Sequence, residues 1–189
     1  MRIITGKAKG MVLQTLEGEI TRPTSQRVKE AIFSMLQFDI GGANILDVFA
    51  GCGQLSIEAL SRGAKHATMN DISKEAVGII KANVKKAKMN DQCDIYNLNY
   101  ETFLKRINTT DKYDIVFIDP PYKLNCISRV LKYLQNEDLI SNGAYIVCET
   151  GSDDIFQNND EIDECFEIYR QTKYSISYVT ILKPKEKIK

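Results

Sequence analysis

Residues 44–53 read Asn-Ile-Leu-Asp-Val-Phe-Ala-Gly-Cys-Gly, an apolar run that ends in an acidic residue and is followed by a glycine-rich loop. A helical pattern begins near Gln54, so this stretch predicts a strand, a tight turn and a helix in succession. Short apolar runs and helical patterns alternate along most of the remaining chain, which is typical of βα units that build a parallel sheet covered on both faces. We therefore predict an α/β fold.

Five apolar runs are the candidate strands of this sheet, at residues 44–48, 66–70, 94–97, 113–118 and 144–149. The candidate helices have apolar residues at spacings of three and four, and they begin near Gln54, Ser73, Glu101 and Asn125. Ser73 has the residue type and position of an N-cap.

Two further β-like runs, residues 165–171 and 174–182, follow an acidic stretch. Their connection is only a few residues long, so the two runs can pair only as an antiparallel hairpin. A mostly parallel sheet that ends in such a hairpin is unlike a dinucleotide-binding dehydrogenase.

The amino-terminal part of the chain has a different pattern. Residues 1–16 alternate apolar and polar side chains around glycines and predict a small hairpin. Residues 25–38 predict an amphipathic helix with Val28, Ile32, Met35 and Leu36 on one face. We predict one domain over residues 1–189, in which residues 1–40 extend a catalytic core at 41–189.

The composition limits the kind of protein this is. The chain has 189 residues, 43% hydrophobic and 26% charged, with a formal net charge of zero, which is typical of one globular domain rather than a disordered or uniformly basic chain. No apolar stretch approaches the roughly 20 residues that span a bilayer. The amino terminus also lacks the apolar core of a secretory signal. A cytoplasmic protein without membrane contact is expected.

Cysteine and histidine usage predicts no metal site. The five cysteines are widely spaced and form no C-x-x-C pair, so we expect reduced thiols that pack as small apolar side chains. His66 is the only histidine, and we expect it to begin or flank a strand.

The glycine-rich loop does not match a dinucleotide site. The G-x-G-x-x-G fingerprint needs a third glycine at position 56, where this chain has Ser56. Asp47 before the glycines could accept from an amino group or a water. Asp71 at the end of the second strand could bind the two hydroxyls of a ribose. Together these features favour S-adenosylmethionine, a nucleoside that carries an amino acid.

A second chemical motif, Asp119-Pro120-Pro121-Tyr122, directly follows the fourth predicted strand. Two prolines remove two amide donors, so we expect backbone carbonyls there without a local partner. With the Asp119 carboxylate they could accept from an exocyclic amine, and Tyr122 could stack on its base. An ordinary strand-ending turn is the alternative interpretation.

These loops resemble the bacterial RsmD family of small-subunit ribosomal RNA guanine-N2 methyltransferases. The resemblance extends to the residue runs 58–64, 21–24 and 27–30, which read Glu-Ala-Leu-Ser-Arg-Gly-Ala, Thr-Arg-Pro-Thr and Arg-Val-Lys-Glu. It implies a Rossmann-like class I methyltransferase fold with seven strands, S-adenosylmethionine as methyl donor and a guanine as acceptor.

The resemblance also implies a set of site residues. The catalytic residues would be Asp119, Pro120, Pro121 and Tyr122. The cofactor-binding residues would be Asp47, Phe49, Ala50, Gly51, Gly53, Asp71, Ile72, Asn99 and Tyr100. Asn99 stands where the family usually has an aspartate near the adenine, and an amide can donate or accept there.

The expected partner is small-subunit ribosomal RNA or the assembling small subunit, bound by a monomer. Residues 1–30 carry six basic side chains against three acidic ones, so we expect a phosphate-binding ridge. Its candidate residues are Arg2, Lys7, Lys9, Arg22, Thr24, Arg27 and Lys29. A solvated helix face is the alternative interpretation for Arg27 and Lys29.

Other reactions fit the same loops. The alternatives are an adenine-N6 DNA methyltransferase, a glutamine-N5 protein methyltransferase, and a non-catalytic protein that binds S-adenosylmethionine during ribosome assembly. The first two typically need a separate recognition domain, for which 189 residues leave little room.

Overall fold

The computed structural model describes residues 1–16, 26–107, 111–121, 124–156, 160–175 and 177–185. Within these ranges the α-helices are α1 (Gln26–Met35), α2 (Gln54–Ser61), α3 (Lys74–Ala87), α4 (Tyr100–Arg106), α5 (Ile127–Asn136) and α6 (Asp160–Cys165). The strands are β1 (Asn44–Asp47), β2 (His66–Asn70), β3 (Cys93–Tyr96), β4 (Tyr113–Ile118), β5 (Ile140–Thr150), β6 (Phe166–Tyr174) and β7 (Ser177–Pro184). None of the helices in the described ranges is long and apolar enough to cross a membrane.

The seven strands form one sheet in the order β3-β2-β1-β4-β5-β7-β6. β1 pairs in parallel with both β2 and β4, whereas β7 is antiparallel to β5 and β6. The chain therefore runs outward from β1 to β3 and returns to β4 on the other side of β1. Ligands of open α/β sheets bind where the strand order reverses, at the carboxyl ends of the strands. In this sheet that point lies between β1 and β4.

Both faces of the central strands are buried. Ile45 and Ile115 belong to the apolar cluster on one face, and their neighbours Leu46 and Val116 belong to the cluster on the other. All four side chains are fully buried. Continuous apolar runs in β1 and β4 follow from this double coverage, which parallel sheets require.

The strand predictions are confirmed with small shifts in their bounds. β5 begins at Ile140 rather than Ala144, because Tyr113 pairs with Ile140 before the register shifts to Ile115 opposite Tyr145. The polar residues between Ile140 and Ala144 interrupt the apolar pattern, so sequence periodicity does not include them. The carboxy-terminal antiparallel hairpin and the N-cap at Ser73, which accepts from the Ala76 amide, are also confirmed.

The amino-terminal hairpin packs against α2. Its two arms are joined by hydrogen bonds such as Ile3 N–H to Met11 O, at 2.9 Å. Gly6 has a φ of +86°, and a Cβ on Gly6 would lie 1.8 Å from the Ser61 carbonyl oxygen. Close backbone contact at a left-handed φ admits only glycine here. The hairpin is thus held directly against the carboxyl end of α2.

A buried carboxylate holds the same hairpin. Glu58, which is 0% exposed, accepts from the amides of Ile4 and Thr5 at 2.8 and 3.1 Å. It also accepts from Arg62 Nε at 2.8 Å and lies 3.4 Å from Lys29 Nζ. One side chain of α2 therefore connects α1, the hairpin and its own helix.

Candidate active site

Asp47 ends β1 at the point where the strand order reverses. Its side chain is 2% exposed, and Ser56 Oγ donates to Asp47 Oδ2 at 2.7 Å. The pKa of Asp47 is raised to about 7, mainly by burial, with the Ser56 hydrogen bond opposing the shift and the nearby Asp71 carboxylate adding to it. Asp47 thus has a donor from within the protein, in addition to any ligand amine or water expected from the sequence.

Gly51 and Gly53 in the loop after β1 are glycines for different structural reasons. Gly53 has a φ of +77° at the start of α2, and a Cβ there would lie 3.3 Å from Ile57 and 3.4 Å from Ile80. Gly51 has a φ of +55°, and a Cβ there would meet nothing within 4 Å. Packing therefore restricts Gly53, whereas Gly51 borders open space that a ligand could fill.

Asp71 joins the loops that follow β1 and β2. Its two carboxylate oxygens accept from the Gly51 and Ser73 amides, each at 2.8 Å. Burial raises the pKa of Asp71. Since each carboxylate oxygen has a second lone pair, Asp71 can still accept from ribose hydroxyls. Ile72 beside it is 70% exposed, which is unusual for an apolar side chain of this size.

Two asparagines that the sequence interpretation missed support these loops. Asn70 is 1% exposed and donates to the carbonyls of Val48 and Leu98 at 3.2 and 3.1 Å. Asn97 donates to the carbonyls of Asp71 and Ile72, both at 2.9 Å. The signal available in the sequence is a polar residue at the carboxyl end of an apolar strand.

Asn99 and Tyr100 lie at the start of α4. Asn99 caps the helix, since its side-chain oxygen accepts from the Glu101 amide at 2.9 Å. Tyr100 is 6% exposed, and its ring centroid lies 5.6 Å from that of Phe49. Two of the expected cofactor-binding residues, Phe49 and Tyr100, therefore form an aromatic pair between the loops that follow β1 and β3.

Asp119 follows β4, directly across from the loop of β1. The pairing of Asp47 with Phe117 and of Ile118 with Cys148 brings Asp119 close to Asp47 and Glu149. Burial, the Glu149 carboxylate and the Asp47 carboxylate, in that order, raise the pKa of Asp119 well above its ordinary value. Three acids therefore surround the carboxyl ends of β1, β4 and β5.

The prolines differ from the sequence prediction in one respect. Pro121 O accepts from the Leu124 amide at 2.8 Å, so this carbonyl has the local partner that the sequence argues against. Pro120 is buried and Pro121 is exposed. Tyr122 lies outside the described residues.

The expected phosphate-binding residues are only partly brought together. Arg2, Lys7, Lys9 and Arg27 are exposed, whereas Arg22 and Thr24 lie outside the described residues. Lys29 is placed differently from the sequence prediction. It is 1% exposed, and its ammonium donates to Arg2 O at 2.7 Å beside Glu58. Because its charge points inward, Lys29 is not part of a solvent-facing ridge.

Other polar features lie away from this site. Two clefts of about 330 and 460 Å³ open at the opposite edge of the sheet, where the strands begin. His66 begins β2 in the larger cleft, as expected, and its Nε2 lies 3.0 Å from Asp94 Oδ2. Neither cleft is lined by the candidate catalytic or cofactor-binding residues.

Solved structures share this architecture. The Escherichia coli protein yhhF has a TM-score of 0.86 at 27% identity, with 98% of each chain covered. The Haemophilus influenzae protein HI0767 has a TM-score of 0.81 at 28% identity, again over 98% of each chain. SMU.776, solved in complex with SAH, has a TM-score of 0.68 at 16% identity and covers 82% of this chain and 49% of its own, a likeness of fold alone. The Rossmann-like methyltransferase fold that the sequence predicts is confirmed.

Protein sequences give the same result. The family described as Conserved hypothetical protein 95 matches residues 1–183. The chain is 36% identical over 154 residues to ribosomal RNA small subunit methyltransferase D of Haemophilus influenzae, covering 81% of this chain and 80% of the relative. It is 32% identical over 150 residues to the protein of that name from Escherichia coli K12, covering 79% and 74%. The chain therefore belongs to the RsmD family of ribosomal RNA small subunit methyltransferase D proteins.

Proposed function

We propose that this protein transfers a methyl group from S-adenosylmethionine to the exocyclic N2 of a guanine in small-subunit ribosomal RNA. The observation that carries the proposal is the meeting of two loops where the strand order reverses. One contains Gly51 beside open space, and the other contains Asp119. Membership of the RsmD family supports methyl transfer to ribosomal RNA, and the atom methylated is our inference.

The loops fit S-adenosylmethionine in shape and polarity. Gly51 leaves space where a side chain would otherwise intrude, so a ligand can approach the backbone. Asp71 would accept from the ribose hydroxyls, while the exposed side chain of Ile72 offers apolar surface for the adenine. The Asn99 amide would take the place of the usual aspartate near the adenine.

Charge favours the same ligand. S-adenosylmethionine supplies a methyl group on a positively charged sulfonium and carries an ammonium. Asp47, Asp71, Asp119 and Glu149 place several carboxylates at the site. Burial raises the pKa of both Asp47 and Asp119, and repulsion adds to it, from Asp71 on Asp47 and from Glu149 and Asp47 on Asp119. A bound cation relieves this repulsion and favours their charged forms. The acidic cluster thus favours a cationic ligand over a neutral one.

Asp119 would act on the acceptor amine. In its charged form it accepts from an N2–H group, and the Pro120 carbonyl is the candidate acceptor for the second one. Two such bonds favour a pyramidal nitrogen with a localised lone pair directed at the methyl group. The new nitrogen–carbon bond forms as the carbon–sulfur bond breaks, the sulfur keeps the electron pair, and a proton leaves the nitrogen for Asp119 or water.

RNA binding would use the amino-terminal extension. Arg2, Lys7, Lys9 and Arg27 are exposed on the hairpin and α1. Phosphate contacts of this kind position a nucleic acid without reading its sequence. We propose that residues 1–40 hold RNA beside a catalytic core at 41–189, where a base outside any stack could enter the site.

The test is methyl transfer from labelled S-adenosylmethionine to naked ribosomal RNA, small subunits, DNA and protein in parallel. We expect N2-methylguanosine in RNA or subunits. Asp119→Ala should lower turnover at least about 100-fold and lower cofactor affinity far less, because Asp47 and Glu149 remain to face the cationic cofactor. The matched control is Asp114→Asn on the same strand, since Asp114 caps the Asn44 amide at the other end of the sheet. Label in adenine or glutamine, or equal losses in both variants, would refute the proposal.

A further inference from the structure

Asn83 is a fully buried polar side chain in the middle of α3. It is 0% exposed, and its side-chain oxygen accepts from the Gln14 amide at 2.8 Å. Its side-chain nitrogen donates to Gln14 O at 3.0 Å and to Cys52 O at 2.9 Å. Both N–H groups of this amide are therefore used, one on each of two separate segments.

The two segments belong to different parts of the proposed function. Gln14 lies in the second arm of the amino-terminal hairpin and precedes Arg22 and Thr24 along the chain. Cys52 lies between Gly51 and Gly53 in the loop where the cofactor would bind. Because glycines on both sides leave that loop many backbone conformations, a bond that fixes the Cys52 carbonyl restricts its shape.

Two other anchors of the hairpin in the described residues, Ser61 and Lys86, make no hydrogen bond to the cofactor loop there. Ser61 Oγ accepts from the Ala8 amide at 2.9 Å and donates to Thr5 O at 2.6 Å. Lys86 donates to Val12 O at 2.7 Å. Ser61 therefore provides a matched comparison, since it is also a buried polar residue on a core helix that holds hairpin backbone.

We propose that Asn83 is a positioning residue that couples docking of the amino-terminal hairpin to the shape of the cofactor loop. This inference rests on the proposed function for its ligands, S-adenosylmethionine and RNA. With the hairpin docked, Gln14 holds the Asn83 amide in the orientation that bonds Cys52. Coupling between sites is reciprocal, so cofactor binding strengthens hairpin docking by the same factor.

The experiment compares Asn83→Ala and Asn83→Asp with Ser61→Ala. Cofactor affinity is measured by calorimetry, and hydrogen exchange of the hairpin amides of Ile3, Gly10 and Leu13 is measured with and without S-adenosylmethionine. In the wild type we expect the cofactor to slow this exchange. Asn83→Ala should bind cofactor roughly tenfold more weakly, as expected for one lost hydrogen bond to the loop. Its hairpin exchange should no longer respond to cofactor.

In Ser61→Ala the hairpin amides should exchange hydrogen faster than in the wild type. The cofactor should still slow this exchange, and cofactor affinity should stay within about twofold of wild type. Asn83→Asp keeps the side-chain volume in case the alanine variant does not fold. The new carboxylate would face the carbonyls of Gln14 and Cys52 without a proton to donate. As pH falls the carboxyl gains that proton, so the cofactor affinity of Asn83→Asp should recover relative to wild type.

Each result has a distinct meaning. Wild-type affinity and a wild-type exchange response in the Asn83 variants would overturn the coupling while leaving the proposed function intact. Equal weakening in Ser61→Ala would also overturn it, because hairpin stability alone would then explain the effect. A wild-type protein that binds no S-adenosylmethionine would overturn the proposed function and the coupling together.

Discussion

The buried ion pair of Lys29 and Glu58 should respond very differently to loss of each partner. Burial lowers the pKa of Lys29 despite the attraction of Glu58, so the ammonium is held at a cost in solvation. Lys29→Met removes that cost and leaves Glu58 with Arg62 and two backbone amides as donors. The substitution removes the hydrogen bond from Lys29 to the Arg2 carbonyl, which costs about 1 kcal/mol of stability. We expect the free energy of unfolding to change by about 1 kcal/mol or less.

Glu58→Gln should be far more costly. The amide nitrogen cannot accept from the donors that surround this carboxylate, and Lys29 is left as a buried charge without a counterion. Breaking a buried pair in this way costs about 3–5 kcal/mol. In a domain of this size that corresponds to a fall in Tm of about 10 °C.

Urea and thermal unfolding, followed by circular dichroism, measure both variants. Lys29→Met/Glu58→Gln should be more stable than Glu58→Gln alone, because the unpaired ammonium is gone. RNA affinity and its salt dependence should be unchanged in Lys29→Met, since the ammonium does not face solvent. Equal destabilisation by the two single variants, or loss of RNA affinity in a stably folded Lys29→Met, would refute the reasoning.

Three further predictions concern glycines and pH. In urea unfolding, Gly6→Ala should destabilise the protein by at least about 2 kcal/mol more than Gly10→Ala. Both glycines have a φ near +85°, but only a Cβ on Gly6 would collide with Ser61. Equal losses of stability would contradict docking of the hairpin on α2. Gly51→Ala should cost about as much stability as Gly10→Ala. Measured by calorimetry, it should weaken S-adenosylmethionine binding at least about tenfold. An unchanged affinity would mean that the cofactor binds elsewhere. Because the folded pKa of Asp47 is about 7 against an ordinary 3.8, the folded state retains a proton that the unfolded chain releases. Stability should therefore fall as pH rises between these values and level off above them, and Asp47→Asn should reduce that slope.

The sheet and the strand-end acids could be predicted because their signals are local. Each strand is an apolar run of a few residues, and Asp47, Asp71 and Asp119 each end or directly follow such a run. Parallel strands bring their carboxyl ends to the same end of the sheet, so a parallel pattern is enough to place these acids at one end, although it does not give the order of the strands. The order of β6 and β7 in the sheet has no such signal, since a hairpin can join an edge through either strand.

Lys29 shows how charge can mislead a sequence interpretation. Its position matches the helical spacing of Phe33 and Leu36, both fully buried, so periodicity alone places it on the apolar face. The partner that makes its burial tolerable, Glu58, lies far along the chain in a helix whose residues are all buried. Helical periodicity gives the face of α1, but only the tertiary structure gives the partner.

Asn70 and Asn83 could not be predicted for a different reason. Their partners are mostly backbone atoms of Val48, Leu98, Gln14 and Cys52, and a backbone carbonyl leaves no trace in residue type. The signals in the sequence are weak: Asn70 is a polar residue at the end of an apolar strand, and Asn83 is an asparagine at an apolar-face position of a predicted helix. Neither signal indicates which backbone segment the asparagine holds.

The position of β7 has a consequence for synthesis on the ribosome. β7 is made after β6 but lies between β5 and β6. Until β7 has left the exit tunnel, β5 keeps an open edge with apolar residues such as Ile146 and Val147. Open edges of this kind recruit other strands, so the nascent chain is prone to aggregate until this late strand is released. The half of the sheet from β1 to β3 is complete much earlier, and its loops can form while translation continues.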